Sequence, residues 1–424
     1  MSLPRIGRYA PGFDMLSFEK PPVRTEPRMV VLAAEDGATS KGMLYSDGSE
    51  KTAICVIHPR ADVSRHYTIA PLVDAGYAVL AHQSRWPNND AMASHEVALL
   101  DIAAAVTELR RRNFEKIVFL GYSGGGPLYT FYQAQAVASP DKRLRETAAG
   151  DPFDLSRFEL PPVDGFVFMG AHHGAGKTLM ASIDPSVLDE GDPLSADPDL
   201  DMYNPRNGFK SPPQSSQYSA EFIERYRAAQ SARVARIDAI ARSYIEEQRH
   251  YRSIAEDESF TRLSDSERAF VLRRAVVGRI MSVYRTDANP VSTDLTLQPS
   301  KRNYGSLLSA LPHLGNYTDQ GFAKYLTPRA WLSQWSGHSS RCTLLDNLPS
   351  VTVSTMVLCF TGDNEVQPQH AQAVYDSSPA SDKSIVNVDG DHFGFPLPSV
   401  AEKDPRGRAM SHVSEWLGDR FARR

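Results

Sequence analysis

Residues 116–138 read KIVFLGYSGGGPLYTFYQAQAVA and decide the fold. The segment opens on an apolar run typical of a buried parallel strand, turns at a cluster of small residues around Ser123, and continues as a helical pattern. A strand that leads directly into a helix is the repeating unit of an open α/β sheet. Glycine at Gly121, Gly124 and Gly125 allows so sharp a turn to close without collision.

Other apolar runs predict the remaining strands of a mostly parallel sheet with helices on both faces. Too little chain separates the first strands for crossover helices, so we expect the sheet to begin with a hairpin. Residues 93–112 carry apolar side chains at three- and four-residue steps and predict a helix. The six further runs are residues 29–33, 53–58, 77–82, 165–170, 355–362 and 384–390.

The alternation of strands and helices stops after Gly170 and resumes near Val353. The chain between them contains a Pro/Asp-rich stretch and then helical patterns, with Ser264 and Glu267 spaced as a capping box. An insertion that leaves the sheet where a strand ends should lie over the carboxyl edge, where open α/β sheets bind ligands. We therefore predict an N-terminal arm (1–26), an α/β core (27–170 and 351–424) and a helical cap (171–350).

Composition restricts the function. The 424 residues are 41% hydrophobic and 23% charged. Their net charge of −5 provides no overall electrostatic attraction for nucleic acid or an anionic membrane. Three cysteines show neither a disulfide framework nor metal-ligand spacing, and the first residues lack the apolar core of a signal peptide. We expect a cytoplasmic protein that acts on a small molecule, without a metal, nucleic-acid or membrane partner; homo-oligomerisation stays open.

Ser123 is the candidate nucleophile, because the turn would expose its hydroxyl at a helix N-terminus. A serine nucleophile requires a histidine to take its proton and a carboxylate to orient that histidine. His392 and Asp363 each follow a late apolar run, so both should reach the same edge of the sheet as Ser123. Glu365 and Asp391 remain alternatives to Asp363.

An oxyanion formed at this serine needs backbone N–H donors. Gly124, directly after the serine, is one candidate. The loop after residues 53–58 should supply the second; Pro59 has no N–H, so Arg60 is preferred and Ala61 competes with it.

The motifs HPRA, GYSGG, TGDNEV and GDHFG follow one another in this order across residues 30–170 and 350–420, and in this they resemble the α/β-hydrolase superfamily. The resemblance implies an eight-stranded, mostly parallel sheet, a cap domain and no cofactor. It departs from many members at His58-Pro59, where those carry His-Gly, and the cap of about 180 residues is large for the family. We expect a serine hydrolase acting on a carboxylic ester of a medium-sized apolar or aromatic compound; thioesters, lactones, amides or carbon–carbon bonds would use the same residues.

Several residues near the predicted edge have competing interpretations. Residues 171–178 (AHHGAGKT) match a relaxed phosphate-loop pattern, although no long helix follows. Tyr122, His172 and His173 are candidates for lining the pocket. Trp331 and Trp335 would share a helix face, in the core or in the pocket. The remaining histidines show no metal spacing, so we expect satisfied or solvent-facing side chains at His58, His82 and His95.

Overall fold

A computed structural model describes residues 6–7, 25–319 and 321–424. Most of the predicted arm, residues 1–26, lies outside the described residues. Within the described part of the chain, no helix combines the length and apolar character needed to cross a bilayer.

Eight strands form one sheet in the order β1-β2-β4-β3-β5-β6-β9-β10. Strand β2 runs antiparallel to both neighbours and every other pair is parallel, which confirms the mostly parallel sheet and its hairpin start. β7 and β8 form a separate two-stranded ribbon. The strands are β1 Arg28–Ala33, β2 Thr39–Tyr45, β3 Thr52–Val56, β4 Ala78–His82, β5 Lys116–Tyr122, β6 Gly165–Met169, β7 Met281–Ser282, β8 Tyr325–Leu326, β9 Ser354–Phe360 and β10 Lys383–Val388.

The helices include one π-helical turn, Trp331–Trp335. The predicted helix over residues 93–112 is confirmed as α2, with Ser94 at its N-cap. The α-helices are α1 Ile69–Asp74, α2 His95–Arg111, α3 Gly125–Val137, α4 Ala175–Ser182, α5 Ala220–Glu256, α6 Asp265–Val276, α7 Pro312–Gly315, α8 Pro328–Ala330, α9 Leu344–Asn347, α10 Pro368–Ser377 and α11 Pro405–Gly418.

Two apolar layers cover the faces of the sheet. Alternate residues of a strand point to opposite faces, so Cys55 joins the layer under α2 and α3, whereas Ile54 joins the layer under α1 and α11. A sheet buried on both faces needs strands that are apolar at nearly every position, which is the pattern that identified them in the sequence.

The chain between β6 and β9 forms an insertion with its own apolar core, in which Val234 and Ile237 of α5 pack with Trp331. Its longest helices, α5 and α6, contact each other, and the predicted capping box at Ser264 and Glu267 is present. Short helices and turns make up most of the remainder. This insertion contributes side chains to the cavity at the carboxyl edge of the sheet.

Candidate active site

Ser123 lies in the turn between β5 and α3 and adopts a φ of +49°, a left-handed conformation that is rare for a non-glycine residue. Glycine at its neighbours is a steric requirement. A Cβ on Gly121 would lie 2.6 Å from the Cα of Gly126, and a Cβ on Gly125 would collide with the carbonyl oxygen of Ile57. The strained backbone is thus held by close packing on both sides.

The structure brings Ser123, His392 and Asp363 together. The Nδ1 of His392 lies 2.7 Å from Oδ2 of Asp363, and its Nε2 lies 3.1 Å from Oγ of Ser123. Asp363 follows β9 and His392 follows β10, so adjacent parallel strands deliver both to one edge. All three side chains are buried. With the Nδ1 proton donated to the carboxylate, Nε2 is left as an acceptor facing the serine hydroxyl.

The three carboxylates considered in the sequence occupy different positions. Asp363 accepts backbone N–H bonds from Glu365 and Val366 at 2.7 and 2.9 Å, which fixes one oxygen and leaves the other for the histidine. Asp391 accepts the N–H groups of Phe393 and Phe395 and so shapes the histidine loop. The Glu365 side chain lines the cavity. The geometry therefore places Asp363, and not the other two, on the imidazole.

Electrostatics distinguish His392 from the other histidines of the cavity. Burial acts to lower the pKa of His392, but the charge and hydrogen bond of Asp363, with Glu365 and Asp391 behind, raise it above its ordinary value. Burial lowers the pKa of His172 to about 3 and of His95 to about 4, so both are neutral. Of these three histidines, His392 is the one whose pKa is raised, so it is the one suited to take up a proton.

The two predicted oxyanion donors differ in outcome. Gly124 is the N-cap of α3, and a Cβ there would lie 3.1 Å from Cγ of Pro59, so the loop after β3 closes over the nucleophile. The N–H of Arg60, however, donates to Nδ1 of His58 at 3.2 Å. Burial keeps His58 neutral and able to accept. Arg60 and the competing Ala61 both line the cavity, but the N–H of Arg60 is already engaged with His58 in this conformation.

Ser123 opens onto a cavity of about 190 Å³. Core and insertion both contribute to its walls. The predicted Tyr122 and His172 line it, and the Tyr122 hydroxyl also donates to the carbonyl of His392 at 3.0 Å. His173 does not line it, because its ring packs against His370 and its Nε2 meets the carbonyl of His370 at 3.3 Å.

Sequence reasoning did not predict that the side chains of Arg60, Phe322 and His95 line the cavity. The Arg60 guanidinium lies over the rings of Phe322 and Trp335, 4.6 and 5.2 Å from their centroids, with Asp90 at 3.4 Å. His95, expected to be satisfied or exposed, is buried, lines the cavity and has no partner for either ring nitrogen among the described residues. The spacing of the two tryptophans left core and pocket open for both. Trp331 and Trp335 both belong to the apolar core of the insertion, and Trp335 also lines the cavity.

The phosphate-loop pattern at residues 171–178 serves packing. The Lys177 ammonium donates to the carbonyl of Gly337 at 2.9 Å. A Cβ on Gly176 would lie 2.5 Å from the carbonyl oxygen of Ser336, so the start of α4 packs against the insertion. These contacts occupy the lysine and the loop that a phosphate group would need.

Comparisons with known proteins found no matching family model and no matching curated protein. Solved structures resemble the chain at low identity. The esterase Pf2001 of Pyrococcus furiosus is 12% identical with a TM-score of 0.42, over 93% of this chain and 90% of that chain. A bromoperoxidase from Bacillus anthracis is 14% identical with a TM-score of 0.39, over 93% and 100%. A Paleococcus ferrophilus monoacylglycerol lipase is 14% identical with a TM-score of 0.39, over 93% and 99%. The strand order, the single antiparallel strand inside the sheet and the strained serine turn after β5 give this chain the α/β-hydrolase fold.

Proposed function

We propose that the chain is a serine hydrolase that cleaves carboxylic esters through an acyl-enzyme. The observation that carries the proposal is the continuous hydrogen-bonded line from Asp363 through His392 to Ser123, with contacts of 2.7 and 3.1 Å. Nucleophile, base and orienting acid are the parts that acyl transfer requires, and function has to be argued from such a site, because a fold alone does not choose an activity.

In this mechanism the Ser123 oxygen attacks the ester carbonyl while Nε2 of His392 takes the hydroxyl proton. Asp363 holds the imidazole and stabilises its cationic form. The N–H of Gly124 and a second donor, for which Ala61 is now the better candidate than Arg60, stabilise the oxyanion. His392 then protonates the departing alcohol, and a water activated by the same imidazole releases the acid. Losing one oxyanion donor typically lowers the rate by ~10²–10³.

The lining of the cavity supports a medium-sized apolar or aromatic substrate. The apolar lining consists of Leu307, Leu308, Phe322 and Trp335 from the insertion and Phe393 from the core. Burying an apolar group there would contribute about 0.8 kcal/mol per CH₂. The ratio kcat/KM should therefore rise with acyl length across a panel of p-nitrophenyl esters, until the cavity is filled.

A fluorophosphonate probe tests the proposal directly, because only an activated serine reacts with it. The wild-type chain should be labelled, with the adduct on Ser123, and Ser123→Ala and His392→Ala should not. Ser266→Ala, which changes an exposed serine of α6, is the matched control and should be labelled like the wild type. Equal labelling of the wild type and Ser123→Ala would refute the assigned nucleophile.

A further inference from the structure

We propose that His95, Gln334 and Trp335 form a recognition wall that binds a secondary amide group of the substrate. The inference rests on the proposed function, because it adds a substrate class to the ester hydrolase described above. It assigns a role to three polar side chains that the triad and the oxyanion donors do not use.

Each of the three residues buries a polar atom that has no hydrogen-bond partner within the described ranges. These atoms are both ring nitrogens of His95, Oε1 of Gln334 and Nε1 of Trp335. All three residues are at most 3% exposed and line the same cavity as Ser123. A buried polar atom without a partner is unfavourable, so four such atoms, from three residues around one cavity, indicate that a ligand completes the set.

The wall is held in place by contacts behind it. Nε2 of Gln334 donates to the carbonyls of Asp90 and Ala93 at 2.9 and 2.7 Å. Reversing the amide would lose both bonds, so the carbonyl oxygen must be the end left without a partner. The backbone N–H of His95 donates to Oγ of Ser333 at 2.8 Å, and that hydroxyl donates to the buried carboxylate of Glu96.

Gln334 and Trp335 belong to the π-helical turn, where the N–H of Ser336 donates to the carbonyl of Trp331 at 2.9 Å. Such turns are rare and frequently occur at functional sites. The two tryptophans of the turn differ in the hydrogen bonding of their indole N–H groups. Nε1 of Trp331 donates to Asp238 at 2.6 Å inside the insertion, whereas Nε1 of Trp335 has no partner in the part of the chain that the structure describes.

The chemistry of the wall selects its ligand. Trp335 offers a donor, Gln334 an acceptor, and a neutral His95 one of each. The complementary ligand carries both an N–H and a C=O and has no charge, which describes a secondary amide. A hydroxyl also donates and accepts, but from a single atom. The nearby Arg60 charge faces Asp90 and two aromatic rings and so does not require an anionic substrate.

The test compares pairs of p-nitrophenyl esters. One member is an acetamido acid ester with a spacer of graded length, for example 4-acetamidobutanoate. Its partner is the alkanoate in which carbon replaces the amide nitrogen and oxygen, 6-methylheptanoate for that spacer; the ω-hydroxy ester forms a third arm. At the best spacer, kcat/KM for the amide ester should exceed that of its partner at least ~10-fold. A larger preference for the hydroxy ester at every spacer would overturn the assignment to an amide.

Trp335→Phe and His95→Phe remove the unpartnered nitrogens and keep a ring, and each should lower the amide preference, the ratio of kcat/KM for the amide ester to kcat/KM for its alkanoate partner, ~10-fold. Trp416→Phe is the matched control, because Nε1 of Trp416 is also unpartnered among the described residues but packs beside Phe421, away from the cavity. It should leave the preference unchanged. Equal rates for amide and alkanoate esters at every spacer in the wild type would overturn the inference.

Calorimetric titration with N-ethylhexanamide and its all-carbon analogue separates this inference from the proposed function. If the chain neither reacts with fluorophosphonate nor cleaves esters, the hydrolase proposal falls, yet selective binding of the amide that Trp335→Phe abolishes would still support the wall. If the chain cleaves esters but binds both compounds equally, the wall is refuted and the hydrolase proposal stands.

Discussion

Asp363 and Glu365 are two residues apart, yet their carboxylates face different surroundings. Asp363→Asn keeps the shape of the side chain but favours the wrong imidazole tautomer, and kcat should fall by ~10⁴. Glu365→Gln should retain activity within about tenfold, because no hydrogen bond of its carboxylate to the triad is present in the described structure. Steady-state hydrolysis of a p-nitrophenyl ester measures both; a larger loss in Glu365→Gln would assign the orienting role to that residue.

Asp363 and Glu365 also determine how the activity should depend on pH. His392 must be neutral to accept the serine proton, so kcat/KM should rise with pH through its pKa, which is raised above the ordinary value of about 6.5. The charge of Glu365 contributes to that increase. Glu365→Gln should therefore lower the pKa of His392 and move the acidic limb of the profile to lower pH. A shift to higher pH, or none, would contradict this electrostatic account.

Glu365 itself should titrate close to neutrality. Burial raises its pKa to about 7, against the lowering effects of His392 and Arg60. Its partial protonation explains how it can share a cavity with the triad without imposing a full negative charge at neutral pH.

The positions of the three triad candidates could be read from the sequence, because each follows a strand and parallel strands bring their carboxyl ends to one edge. The directions of other side chains could not. The Arg60 N–H turns to His58, and His173 turns to His370, through local contacts that leave no periodic signal in the sequence. Likewise, nothing in the sequence around His95 shows that both its nitrogens lack partners.

At the scale of elements, the turn between β5 and α3 depends on glycine. Gly121→Ala would place its Cβ 2.6 Å from the Cα of Gly126, so strand and helix would have to separate. We expect destabilisation of a few kcal/mol, as for other overpacked sites. Gly278→Ala is the control, because nothing lies within 4 Å of a Cβ there. Urea unfolding followed by circular dichroism measures both; equal midpoints would show that the turn tolerates a methyl group.

Element prediction succeeded where one pattern dominated. Strands buried on both faces were recognised as apolar runs, and the α6 capping box was recognised from two residues. Strand β2 was missed, since the first half of its sequence TSKGMLY is polar, Gly42 lies at its centre and only three apolar residues follow. The π-helical turn was also invisible, because Trp331 and Trp335 fit an ordinary helix equally well.

At the scale of the whole molecule, the reactivity of three cysteines shows whether the core and the insertion unfold together. Cys55, Cys342 and Cys359 are all buried and belong to the same apolar cluster, although Cys342 lies in the insertion. Burial raises the pKa of each thiol, that of Cys359 to about 12. The native chain should thus resist iodoacetamide, and all three should become reactive over one range of denaturant. Mass spectrometry identifies the sites; earlier alkylation of Cys342 would show that the insertion opens first.

Strands β6 and β9, which flank the insertion, are hydrogen-bonded neighbours with Met169 opposite Leu358. Both attachment points are fixed by strand pairing within the core. The intervening segment can therefore be exchanged for a shorter or a foreign one without a change in the strand order of the sheet. Evolution or protein engineering can treat this span as a replaceable module. Chimaeras joined at these two strands should keep Ser123 beside His392 and acquire the selectivity of the donor.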